Sequence, residues 1–181
     1  MKFIKHVIRI YRRRSERMYH GIHIIYSDNG TGHEDLILEI KSINLRVVAD
    51  TYYFRILDDF EPITAEDLRI KHALALLLGY WMSRVDSLNV TDYCYLPFDF
   101  SDEYTGCLKV AIVQENSLRV SYGYSLVVEG WNVDPLDPDD YTERVNDFQA
   151  TSEEFDIQSN AFVSMIMKIH DEFISSANGE R

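Results

Sequence analysis

Glu39-Ile40-Lys41 ends an alternating run, with Asp35 four residues before Glu39 and Asp28 eleven before it. Two carboxylates can hold a Mg²⁺ ion, and a lysine beside them can stand by the water that attacks a phosphodiester. The same alternation over residues 34–41 (EDLILEIK) also describes a strand whose polar side chains face water. That plainer reading is preferred.

The acidic-x-Lys element resembles that of the PD-(D/E)xK nuclease family. The resemblance covers about fourteen residues, 28–41, and lacks the Pro-Asp element. It implies a metal-dependent nuclease or hydrolase built on Asp28 or Asp35, with Glu39 and Lys41. His20, His23, His33 and Asp35 form a second set of metal-ligand types. His20 and His23, however, fall on opposite faces of one strand, because side chains alternate, and surface histidines are expected. Gly30-Thr31-Gly32-His33 lacks the lysine of a phosphate-binding loop, and no G-x-S-x-G or H-E-x-x-H occurs. Cys94 and Cys107 are too few for a tetrahedral zinc site. They read as reduced, packed thiols of a cytoplasmic protein.

Residues 132–148 (NVDPLDPDDYTERVNDF) carry two prolines, six acids and one arginine. An EF-hand loop needs a glycine at its sixth position and a glutamate at its twelfth. No register starting at Asp134, Asp137 or Asp139 supplies both. The prolines instead fix a loop, lowering the entropy cost of presenting its carboxylates. Aromatic residues beside such carboxylates suit a grip on an Arg/Lys-rich protein. The expected partner-binding set is Trp131, Asp134, Asp137, Asp139, Asp140, Tyr141, Glu143, Asp147, Glu153 and Glu154.

Charge is unevenly spread. Formal net charge is −12. Residues 1–20 hold seven bases and one acid, for +6; the rest holds 11 bases and 29 acids, for −18. An acidic body repels nucleic acid, whose binding relies on Lys and Arg, and steers basic proteins toward itself. No membrane partner is expected either. The longest apolar run, Ala73 to Met82, has ten residues, against about 20 for a span. The basic leader lacks a small-residue cleavage site and is not read as a secretion signal.

The elements that would position these residues follow from periodicity. Residues 20–26, 34–41 and 44–57 read as a strand meander, with Asn29-Gly30 at its first turn. A helix is expected over about 65–86, capped by Thr64 with Asp67 and apolar on all sides in its middle, hence buried. Residues 90–128 are again strand-like. A break is expected at Pro97, and a hairpin turns at Gln114-Glu115-Asn116. Leu118, Val120, Tyr122 and Tyr124 should face the core while Arg119, Ser121, Gly123 and Ser125 face water. A short acidic helix or turn is expected at 139–149. A last amphipathic helix, about 152–175, is expected to start at a Thr151–Glu154 capping box.

The resulting expectation is an α+β fold. About six mostly antiparallel strands pack on a buried central helix and a C-terminal amphipathic helix. All 181 residues are expected to form one globular domain, with residues 1–18 as a basic N-terminal appendage read as a short helix. The expected function is non-enzymatic: a cytoplasmic, acidic, bacterial immunity-type inhibitor of a basic protein partner such as a toxin domain, with no cofactor. The nuclease reading above is the first alternative. A phage or secretion-system structural subunit, docking its basic leader on a neighbour, is the second.

Overall fold

The structure, a computed structural model, describes residues 21–56 and 65–178. The expected N-terminal helix, His20 and the Thr64 cap lie outside these residues. The fold is α+β; among the described residues it has eight strands, in two antiparallel sheets where about six strands were expected, and four helices.

The first sheet is the meander β1 (Ile22–Tyr26), β2 (Leu36–Ile40) and β3 (Leu45–Ala49). Leu36, Leu38 and Ile40 alternate inward and are fully buried, as a half-covered antiparallel sheet requires. The β1–β2 turn uses Gly30 and Gly32, both at positive φ (74° and 76°), where glycine carries no steric cost. The third extended run stops at Ala49. Asp35 captures Thr51 instead, accepting from its amide (2.9 Å) and its hydroxyl (2.7 Å). The chain then turns into the one-turn helix α1 (Tyr52–Arg55).

Helix α2 (Glu66–Asp86) matches the expected central helix. Ile70, Leu74, Leu77, Leu78 and Trp81 are buried, although Leu76 on one face is exposed. Trp81 is a packing residue: its indole N–H donates to the Pro97 carbonyl at 3.0 Å and its ring lies 6.3 Å from that of Phe98.

The second sheet contains β4 (Tyr93–Phe100), β5 (Thr105–Gln114), β6 (Ser117–Ser125), β7 (Gln149–Ala150) and β8 (Phe155–Gln158). Strand β4 runs through Pro97 rather than breaking there. It is an edge strand, so the missing N–H costs no ladder bond, and the register slips between Pro97 and Asp99. The β5–β6 hairpin turns with Asn116 in the left-handed region (φ 62°). From Ser121 to Ser125 both faces of β6 are covered, which alternation alone does not predict. Phe148 and Gln149 lie so close over Gly123 that a Cβ there would collide with both.

The last helix, α4 (Ser159–Ala177), starts seven residues later than expected. Residues 155–158 instead pair with β6 as β8. The Thr151–Glu154 capping box does not form: the Thr151 hydroxyl donates to the Tyr122 carbonyl, and Glu154 lies beside Arg119. Phe162, Ile166, Ile169 and Phe173 bury the stripe of α4 against the core it shares with α2 and both sheets. Cys94 on β4 and Cys107 on β5 are free and fully buried in that core.

Candidate functional site

Between β6 and β7 the chain makes a long excursion over residues 126–147. Apolar anchors hold it down: Val128, Val133, Tyr141 and Val145 are buried, as are both prolines, Pro135 and Pro138. The acids fall between these anchors and face outward. Asp134, Asp137 and Asp139 are exposed. Asp134 accepts from the Leu136 amide at 2.9 Å, a local turn bond. The side chains of Asp137 and Asp139 meet no described donor. Trp131, in a 3-10 turn at Gly130–Asn132, is 60% exposed, and Leu126 and Val127 beside it in sequence are exposed too. Large apolar side chains and unpaired carboxylates are thus exposed on the same loop.

The excursion is tied at both ends. Asp147 accepts from the Ser125 hydroxyl and from the Leu126 (2.8 Å) and Val127 (3.2 Å) amides. Burial raises its pKa, but those donors outweigh it and hold the carboxyl below the ordinary range. Within the excursion, α3 (Tyr141–Arg144) directs Arg144 back onto the Asn132 carbonyl at 2.9 Å.

The expected partner-binding residues divide accordingly. Trp131, Asp134, Asp137 and Asp139 lie on one exposed segment. Asp140 sits 3.5 Å from Arg144, and Glu143 3.2 Å from Arg84, so both are partly neutralised. Tyr141 must be removed from the set: it is 0% exposed and anchors the loop from below. Asp147 is spent on the closure just described. Glu153 and Glu154 lie beyond β7, alongside the middle of β6, where Arg119 reaches Glu154 (3.6 Å) and Asp156 (2.9 Å). The structure does not bring them to the Trp131 segment.

The nuclease-like residues are differently employed. One Arg55 nitrogen, Nη2, lies 3.0 Å from Asp28 and 3.2 Å from Asp35, and Nη1 lies 2.6 Å from Glu66. A guanidinium therefore sits where the two carboxylates converge. Glu39 is four strand residues from Asp35, about 13 Å at the rise of an extended chain, and faces Arg46 at 3.4 Å. Lys41 begins a 3-10 turn. His23 is exposed, and His33 bonds to Asp50 at 2.7 Å and stacks on Tyr52. Among the described residues, no three His, Cys, Asp or Glu side chains are grouped to hold a metal ion. No described helix is long and apolar enough to cross a membrane.

One feature escapes sequence reading. A cleft of about 550 Å³ opens between β3 of the first sheet and the face of the second. Asp99, Tyr104, Tyr122 and Tyr124 line it, together with Leu126, the first residue of the excursion. Asp99 is only 7% exposed and accepts one hydrogen bond, from the Tyr104 hydroxyl at 3.0 Å. Burial pushes its pKa up to about 6, against the lowering effect of that bond. The sequence signal was faint: a proline and a lone acid in an apolar strand.

Compared with protein-family models, curated proteins and solved structures, the chain matches none.

Proposed function

We propose that this protein is a non-enzymatic binding module that receives a cation-rich protein on the segment containing Trp131, Asp134, Asp137 and Asp139. The observation that carries this reading is that one loop, held down by buried side chains, exposes both Trp131 and two carboxylates, Asp137 and Asp139, that no described cation neutralises. A held loop has little freedom left to lose on binding, which is where much affinity is otherwise spent. The aromatic ring supplies buried area; the carboxylates steer the encounter. A small inhibitor that covers the basic surface of an enzyme, as immunity proteins do, fits this chemistry. An intracellular bacterial setting belongs to the same proposal.

The test uses the two tryptophans. Trp81 is fully buried and Trp131 exposed, so quenching by iodide reports mainly on Trp131. Poly-arginine added at low salt should protect Trp131 from iodide, and added salt should reverse the effect. Asp137→Asn with Asp139→Asn should weaken the protection more than Asp171→Asn with Glu172→Gln, which removes the same charge from exposed positions on α4. Equal weakening by both pairs would reduce the effect to net charge and overturn the reading.

A further inference from the structure

We propose that the cleft between the two sheets is a socket for the guanidinium of an arginine side chain carried by the protein partner. This rests on the reading that the neighbouring segment receives a cation-rich protein, and it names the group that enters. The floor of the cleft is Asp99, more than nine-tenths buried, with one oxygen held by the Tyr104 hydroxyl and no described donor on the other. The other oxygen is not among the enclosed polar atoms that lack a partner, so water reaches it from the cleft, and an entering guanidinium would replace that water with a charge-assisted hydrogen bond. At neutral pH this carboxyl is ionised even with its pKa raised to about 6.

The walls suit guanidinium in particular. Tyr104, Tyr122 and Tyr124 line the cleft, with the rings of Tyr104 and Tyr124 6.0 Å apart and inclined at 62°. Aromatic faces attract cations, and a planar guanidinium stacks on them while donating at its edge. Gly106 on β5 makes this wall possible. The Tyr122 hydroxyl occupies the space that a Cβ at this position would take. The cation lining the cleft, Arg46, is 3.4 Å from Glu39 across the ladder and has no hydrogen bond or ion pair to Asp99. Leu126 belongs both to the cleft and to the start of the acidic excursion. A partner that covers the start of the excursion therefore also reaches the mouth of the cleft.

The experiment is an NMR titration of the full chain with three probes: the peptide Ac-Ala-Arg-Ala-NH2, its citrulline counterpart, and tetramethylammonium. The arginine peptide should shift resonances of residues 45–48 and 122–126 saturably. The citrulline peptide, nearly the same shape without the charge, should bind at least tenfold more weakly. Asp99→Asn should abolish saturation, and Tyr124→Leu at the wall should weaken binding severalfold in a chain whose spectrum otherwise stays folded. Equal binding of the arginine and citrulline peptides, or indifference to Asp99→Asn, would overturn the socket. Tetramethylammonium binding as tightly as the arginine peptide would overturn the protein-borne occupant in favour of a free amine. If poly-arginine still protects Trp131 while Asp99→Asn changes nothing, the surface reading stands and the socket alone falls.

Discussion

Asp147 and Leu126 meet at 2.8 Å, carboxylate to amide, across twenty-one residues of chain. The same carboxylate also takes the Ser125 hydroxyl and the Val127 amide. This one side chain closes the excursion that carries the proposed binding segment. Asp147→Ala leaves those amides without their charged acceptor and should cost about 2 kcal/mol, read as a lower urea midpoint. Amide exchange over 126–147 should quicken. The pKa of Asp147 lies below its ordinary 3.8 in the folded chain. Its contribution is therefore present above that value and lost as pH falls through the folded pKa.

Arg55 holds the β1–β2 turn to α1 and α2 through Asp28, Asp35 and Glu66. Asp28 and Glu66 are solvated enough to matter little, but the Asp35 side chain is fully buried. Arg55→Met leaves that carboxylate with the Thr51 donors but no countercharge and should destabilise by about 3 kcal/mol, measured by urea denaturation. Arg55→Lys keeps the charge, loses the fork, and should fall between the two.

Asp99 should make the fold more stable as pH falls from about 6 to 4. Its folded pKa, about 6, exceeds its ordinary 3.8. The native state therefore binds a proton that the unfolded state releases, and stability is lost as pH rises through the folded value. Asp99→Asn should be more stable than the parent at pH 7.5 by about 2 kcal/mol. The difference should shrink toward pH 4. Denaturation of both proteins at the two pH values checks this.

Trp131→Ala should leave the unfolding free energy from urea denaturation within about 0.5 kcal/mol of the parent, as exposed substitutions do. Iodide-accessible fluorescence should disappear, and affinity for poly-arginine should drop severalfold. A matching substitution at Trp81, buried and bonded to Pro97, should instead cost about 3 kcal/mol or more.

Residues with local causes were legible in the sequence. The central helix, the Asn116 hairpin and the inward alternation of Leu36, Leu38 and Ile40 follow from short-range pattern. What depends on distant partners was not. Phe155 to Gln158 read as helix because the apolar spacing of 155–173 is continuous, yet strand β6 offered an open edge that outcompeted it. Tyr141 read as surface because its neighbours are acidic, and only the fold shows a ring-sized space beneath the loop. The Asp99 cleft joins β3 to β4 and β6, strands that lie far apart in sequence and in different sheets. No local pattern encodes such a meeting.

The two thiols give the molecule a further property. Burial pushes Cys94 and Cys107 up to about 12, so neither is a nucleophile at neutral pH while the sheet is closed. Alkylation of the native chain must wait for strands β4 and β5 to part. The rate of iodoacetamide uptake thus becomes a clock for breathing of the core, and neither residue needs to be introduced by mutation.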